Sequence, residues 1–378
     1  MIYLDSGATT LEKPPAVARA MAQAVGEMSS PGRGNYPASQ KAARTAYDCR
    51  EAAAELFHVP APEQVIFTCN ATHGLNIAIR TLVRPGCRVA VSGYEHNAVT
   101  RVLHSIPGVE IMVADAPLFR PEQTLEGFRT ALRRGVDAVI CNHVSNVFGC
   151  VQPVEELAGL CRRTHTPLIV DASQSAGILP VLLADWGAAF VAMPGHKGLY
   201  GPQGTGLLLC GAEASPLLYG GTGSASRRQT MPIDLPDRLE AGTHNMPGIA
   251  GLLEGLRFVR HAGVERIAQW ERRLTRRAEE GLARLPGVEV FADKTGQGQT
   301  GVLSFCVKGM DCEQVGEELA RRQIAVRAGL HCAPLAHESA GTLETGTLRL
   351  STSFFNTPDQ ADRLVWAVSR VLRENVEL

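Results

Sequence analysis

The sequence predicts an α/β protein: a large unit built on a mainly parallel sheet, with a smaller α+β unit at the carboxyl end. Three observations carry that expectation. From about Val65 to Cys210, short β-branched or aliphatic runs alternate with stretches of helical spacing, the rhythm of a sheet with helices on its faces. After the Gly-, Ser- and Arg-rich stretch GGTGSASRRQTMP the pattern changes, and strands are then separated by single helices. The chain has 378 residues, more than one domain of roughly 100–200 residues, so two or three packed units are expected.

In chain order, PPAVARAMAQAV and SQKAARTAYDCREAAAELF read as helices. Between them SSPGRGNYP holds Gly and Pro residues that forbid a continuous helix, leaving a loop placed to close over a site. Seven strands follow: VIFT, RVAVS, VEIMVAD, AVICNHVS, PLIVDAS, FVAM and GTGLLLC. Among them THGLNIAIRTLV, HNAVTRVLHSI, TLEGFRTALRR and VEELAGLCRRT show apolar residues near helical spacing. The pattern is helical from about Pro247 to Arg284. VEVF, GVLSFCVKG, AVRAG and GTLRLSTS then read as strands, with the helix DCEQVGEELARRQ between them and TPDQADRLVWAVSRVLREN closing the chain. Thr357, Pro358 and Gln360 make a capping-box start for that last helix. The expected division is a large unit over 16–246, with the arm 1–15 joining a small unit over 247–378.

Composition narrows the function. Hydrophobic residues at 45% and charged residues at 20% exclude a disordered or fibrous chain. A net charge of −1 supplies no basic stripe, so no nucleic-acid partner is expected. No apolar run approaches the roughly 18 residues that span a bilayer, and MIYLDSGATT has neither a basic n-region nor an apolar h-region. The expectation is a cytoplasmic protein, without a membrane, whose ten cysteines are free thiols. No pair has C-x-x-C spacing, which argues against a metal site.

Two strand ends carry chemistry. PLIV runs into Asp171, followed by Ala172, Ser173 and Gln174, and FVAM runs into Pro194-Gly195-His196-Lys197-Gly198. Ligands of open α/β sheets bind at that edge. An acid and an amine there are what pyridoxal phosphate needs: lysine as Schiff-base carrier, aspartate as partner of the pyridinium nitrogen. Taken singly, Asp171 is equally a helix cap and Lys197 a surface group. Phe67 to Gly74 joins a strand to a helix and offers backbone N–H groups, a hydroxyl and the helix dipole to a phosphate, although Thr72 taken singly reads more readily as an ordinary N-cap. Neither G-x-G-x-x-G after a strand nor a P-loop is present. In Arg327-Ala328-Gly329-Leu330-His331-Cys332-Ala333-Pro334, glycine and proline place a thiol on a turn, with His331 and Arg327 as cations of the kind that activate it.

Together these strings resemble class V aminotransferase-fold enzymes, most closely cysteine desulfurases of the SufS-like group. The resemblance runs along essentially the whole chain, through Tyr3-Leu4-Asp5, Glu95-His96, His143 to Val147, VDASQ, GHKGLYGPQGTG, Leu239 to Thr243, RAGLHCAP and Leu348 to Ser351. It implies fold type I of the pyridoxal-phosphate transferases, with a seven-stranded sheet, and conversion of L-cysteine to L-alanine. It implies that Lys197 carries the cofactor, Asp171 meets the ring nitrogen and His96 stacks on the ring. Asn146 and Gln174 would hold ring substituents, with His196 beside the cofactor, and Thr72 with the Ala71 amide would bind phosphate. In such enzymes a threonine from the other subunit of a homodimer completes that site, and Thr243 matches it. Arg349, with Asn146 and His331, would bind the substrate. Cys332 matches the thiol that becomes a persulfide and passes sulfur to an acceptor protein. A selenocysteine lyase or a cystine/cysteine C–S lyase of the same fold is the alternative, a non-enzymatic regulator a more distant one. The chain departs from the pattern at Pro194, His73 and Leu330. Pro194 removes a phosphate contact, since proline lacks even the N–H. The short spacing from Cys332 to Arg349 suggests a recessed thiol reached by a docking partner.

Overall fold

The computed structural model describes residues 1–32, 34–296 and 298–376. The SSPGRGNYP loop contains Arg33 and so lies partly outside the described residues. A two-residue strand β1 (Ile2–Tyr3) precedes helices α1 (Pro15–Glu27) and α2 (Pro37–Leu56). Both helices begin on proline, whose missing N–H would be unsatisfied there anyway. The alternating region follows: β2 (Val65–Thr68), α3 (Ala71–Leu82), β3 (Arg88–Ser92), α4 (Asn97–His104), β4 (Glu110–Ala114), α5 (Pro121–Arg133) and β5 (Ala138–Asn142). It continues through α6 (Val154–Thr164), β6 (Leu168–Asp171), a short α7 (Leu183–Trp186), β7 (Phe190–Pro194) and β8 (Gly206–Cys210).

These strands form one seven-stranded sheet in the order β2-β8-β7-β6-β5-β3-β4. Only β8 runs antiparallel to its neighbours, so the sheet is mainly parallel. Alternation sends Val139, Val170, Val191 and Leu207 to one face and Ile140, Ile169, Ala192 and Leu208 to the other. Helices cover both faces, which is why the central strands read as unbroken apolar runs. The strand order reverses between β5 and β3, and ligands of such sheets bind at the carboxyl ends beside that switch.

The helical stretch after Asn245 is two helices, α8 (Met246–Ala262) and α9 (Val264–Leu282), broken at Gly263 with φ +85°. Then come β9 (Val288–Phe291), β10 (Val302–Val307), α10 (Cys312–Arg321), β11 (Ile324–Ala325), β12 (Arg327–Gly329), α11 (Pro334–Ala340), β13 (Thr347–Ser351) and α12 (Pro358–Val376). The antiparallel sheet β12-β13-β10-β9 packs Leu303, Phe305, Leu348 and Leu350 against Val315, Leu319, Leu364 and Val368 of α10 and α12. AVRAG is therefore not one strand. Its first part, β11, pairs in parallel with β1, while β12 joins the four-stranded sheet. Among the described residues no helix is long and apolar enough to cross a membrane, no group of His, Cys, Asp or Glu is placed to hold a metal, and all ten cysteines are free.

Candidate active site

A cavity of about 200 Å³ opens where the switch point predicts, with Asp171, Asn146, His96 and Lys197 in its wall. Asp171 ends β6 and is buried, and its Oδ1 accepts the Ser173 N–H at 2.9 Å. Lys197 stands three residues beyond β7 on a turn closed by Gly195 N–H to Thr205 O and Gly201 N–H to Gly195 O, both 2.8 Å. A Cβ on Gly195 would meet Thr205 Oγ1 at 2.2 Å, so only glycine lets the turn pack this tightly. Burial, then the charge of Arg349, pushes the Lys197 amine down to about 8 against the opposing pull of Asp171. His96 caps α4, its Nδ1 accepting the Ala98 N–H at 3.0 Å. Burial lowers its pKa, and an Nδ1 that accepts the Ala98 N–H leaves Nε2 as the protonated nitrogen of the neutral ring. His196 is pushed down to about 4, first by burial and then by Lys197.

Gln174 donates from Nε2 to Gly7 O at 2.9 Å. Ala71 and Thr72 open α3, but the cap is Asn70, whose Oδ1 accepts the His73 N–H at 2.9 Å. The N-cap reading of Thr72 is thus corrected, and its hydroxyl is not committed to the helix end. Pro194 is part of the same wall.

A wider cavity of about 520 Å³ shares His96, Asn146, His196 and Lys197 and adds Arg327, His331, Cys332 and Arg349. Cys332 lies between β12 and α11 with φ +57°, after His331 at φ +50°. Two consecutive left-handed residues without glycine hold only when the surroundings enforce them. Here Asn97 N–H donates to Cys332 O and Asn146 Nδ2 to His331 O, each at 2.8 Å. The turn that presents the thiol is thus tied to Asn146 in the wall of the first cavity and to Asn97, next to His96 of that wall. Two expectations are corrected at this turn. The thiol is exposed rather than recessed, because β12 ends at Gly329 and only one turn separates it from α11. His331 is no cation: burial first, then Arg349 and His337, push it down to about 2, with Nε2 3.1 Å from both Thr347 O and Oγ1.

Arg349 is buried rather than a surface charge. Its Nη1 donates to Asn146 O and its Nη2 to Asp5 Oδ1, both at 2.8 Å, while Nε has no partner. Asp5 is a polar site residue to which the residue-level reading assigned no chemistry; a carboxylate 344 positions from its partner leaves no local signal. Thr243 is not brought into the Lys197 cavity. It is exposed and lines a separate cleft of about 170 Å³ with Thr68, Cys69 and His73.

The model of the aminotransferase class-V family matches residues 2–364. The chain belongs to the class-V aminotransferase family. A probable cysteine desulfurase of Mycolicibacterium paratuberculosis is 32% identical, over 98% of this chain but only 55% of that protein, so the chain spans about half its length. A probable cysteine desulfurase of Methanothermobacter thermautotrophicus is also 32% identical, over 96% of this chain and 92% of that one. Among solved structures, apo cysteine desulfurase from Thermococcus onnurineus superimposes with a TM-score of 0.89 at 28% identity, covering 99% of this chain and 95% of the other. Cysteine desulfurase CsdA from Escherichia coli gives 0.85 at 28%, over 98% and 94%.

Class-V aminotransferases are pyridoxal-phosphate enzymes of fold type I, and the residues present fit that cofactor. Asn146 Oδ1 and His196 Nδ1 are buried in the cavity wall without a partner. Orphaned polar atoms beside an amine and a buried carboxylate suit a polar ligand, since buried polar groups are normally paired. Asp171 can face a protonated ring nitrogen, and the first turn of α3 offers donors to a phosphate.

Proposed function

We propose that the chain is a pyridoxal-phosphate-dependent cysteine desulfurase that converts L-cysteine to L-alanine and holds the released sulfur on Cys332. The observation that carries this reading is the exposed Cys332 thiol, on a turn tied to Asn97 and Asn146, opening into the cavity that holds Lys197 and Arg349.

Lys197 would anchor the cofactor, Asp171 would face its ring nitrogen and favour the protonated form, and His96 would lie against the ring. Asn146, Gln174 and His196 would hold its substituents, while the Ala71 amide and the Thr72 hydroxyl would hold its phosphate. When bound, pyridoxal phosphate supplies the electron sink that labilises bonds around the substrate's α-carbon. Arg349 holds the substrate carboxylate through the guanidinium N–H donors that Asn146 and Asp5 leave unused. The Lys197 amine, depressed to about 8, takes the α-proton and returns a proton to carbon. Cys332 attacks the substrate sulfur as a thiolate, so that an S–S bond forms as the C–S bond breaks. The persulfide then passes to an acceptor protein, for which the exposed turn leaves room. A second copy of the chain supplies its exposed Thr243 to the phosphate, making the working unit a homodimer in a reducing cytoplasm.

The test is product analysis with L-cysteine, L-cystine and L-selenocysteine. Alanine from L-cysteine, with sulfide released under reductant, supports the reading. Pyruvate as the main product from L-cysteine or L-cystine overturns it in favour of a C–S lyase, and turnover of L-selenocysteine alone in favour of a selenocysteine lyase.

A further inference from the structure

The amino-terminal arm joins the two halves of the site. It runs beside β13: Ser351 N–H donates to Leu4 O at 2.7 Å, Ser6 N–H to Ser351 O at 3.2 Å, and Gly7 N–H to Ser351 Oγ at 2.7 Å. From that seam Gly7 O holds Gln174. The Thr9 and Thr10 hydroxyls donate to His196 O at 3.2 and 3.0 Å, immediately before Lys197. Asp5 reaches the other half. Its Oδ1 lies 2.8 Å from Arg349 Nη2 and its Oδ2 3.2 Å from Arg327 Nε.

Both arginines line the Cys332 cavity, whereas Asp5 is not part of its wall. The carboxylate therefore grips the guanidinium from outside the cavity. Burial lowers the pKa of Arg349 and Asp5 opposes that effect, so Asp5 also compensates a charge that would otherwise be costly to bury. With Nη2 held by Asp5 and Nη1 by Asn146 O, the guanidinium plane is fixed at two corners. These bonds take one N–H from each Nη, so the second N–H of each Nη, beside the buried and unpartnered Nε–H, is left for a ligand.

We propose that Asp5 is a positioning residue for the substrate carboxylate: it fixes the Arg349 guanidinium from behind, and the arm sets that fork at a constant separation from Lys197. The proposal rests on the reading of Arg349 as the carboxylate site. The opposite role, an internal carboxylate competing with substrate for the same arginine, predicts the opposite sign, because its removal would tighten substrate binding.

The experiment compares Asp5→Asn, Asp5→Glu and Arg349→Lys holoenzymes with the parent, using kcat and KM for L-cysteine and the spectroscopic binding constant of L-cysteine methyl ester, which has no carboxylate. Asp5→Asn should raise KM for L-cysteine about tenfold or more with kcat within about threefold, leaving ester affinity unchanged. Asp5→Glu should recover part of the loss. A merely structural role would weaken acid and ester alike. An unchanged or lowered KM, or equal losses for acid and ester, overturns the proposal. Should Asp5→Asn not fold, Asp5→Glu carries the test: a displaced guanidinium raises the acid KM and spares the ester. Arg349→Lys losing acid over ester while the Asp5 variants do not overturns the Asp5 proposal alone. No such preference in Arg349→Lys overturns the carboxylate reading beneath it as well.

Discussion

Removing the cation from the buried Arg50–Glu240 pair should be among the more damaging single changes outside the catalytic cavity. Arg50 Nη1 and Nη2 meet Glu240 Oε1 and Oε2 at 2.8 and 2.6 Å, with side-chain exposures of 9% and 5%. The same carboxylate accepts Phe67 N–H at 2.6 Å and lies 2.6 Å from His244 Nε2, while the guanidinium sits 4.1 Å from the Phe67 ring centroid. Burial alone would raise the Glu240 pKa, but Arg50 and His244 outweigh it and hold the carboxyl below its ordinary range. Arg50→Met leaves that carboxylate buried without its cation, a loss of about 3–5 kcal/mol. Arg50→Met with Glu240→Gln removes both charges, so the double variant should lose less than the sum of the singles by about 2 kcal/mol or more. Urea unfolding of the four apoproteins measures this cycle. Singles costing less than about 1 kcal/mol, or an additive double, would refute the reasoning. Because Glu240 begins the segment that ends on Thr243, the residue proposed to reach the phosphate site of a second copy, Arg50→Met should also weaken cofactor retention.

Three further outcomes follow from burial and backbone geometry. With Lys197 as the anchoring amine proposed above, capture of pyridoxal phosphate by the apoprotein requires that amine neutral, and its pKa near 8 leaves roughly a tenth of it neutral at pH 7; the capture rate should rise about tenfold towards pH 9, and a rate still climbing steeply above that pH would contradict the depression. Burial raises Glu271 from 4.5 to about 8, opposed by its hydrogen bond from Tyr200. The folded chain thus keeps a proton that the unfolded chain releases, and this site's contribution is full below 4.5 and lost as pH rises to 8. Glu271→Gln should flatten the stability profile across that window, measured by urea midpoints at several pH values; an unchanged slope would refute it. Gly149 has φ +69°, and a Cβ there would meet Val302 O at 2.5 Å; Gly149→Ala should destabilise by about 2 kcal/mol or more, and a parent-like unfolding midpoint would contradict the clash.

What could be read in the sequence was whatever local pattern dictates. The seven strands of the large sheet carry their apolar runs openly, and a strand buried on both faces needs no other signature. Asp171 and Lys197 were legible because an acid and an amine at neighbouring strand ends are placed by topology before side chains pack. The features that escaped depend on distant packing. The AVRAG run divides because β1, more than 300 residues away, claims its first half. Helix α11 is seven residues long and starts on Pro334, too short to show a periodicity. His331 looked cationic beside the thiol, but its charge is decided by burial against Thr347 and Arg349. Arg349 was ambiguous for the same reason, since alternation with Leu348 and Leu350 gives a face without saying what covers it.

The central claim is that Cys332 carries the sulfur, and it is tested most directly by mapping sulfane sulfur by mass spectrometry after a single turnover of L-cysteine without reductant, in the parent and in Cys332→Ser. The account predicts a persulfide on the Cys332 peptide of the parent and neither persulfide nor alanine above background in the variant. A persulfide on another of the ten thiols, or undiminished alanine from the variant, would contradict it.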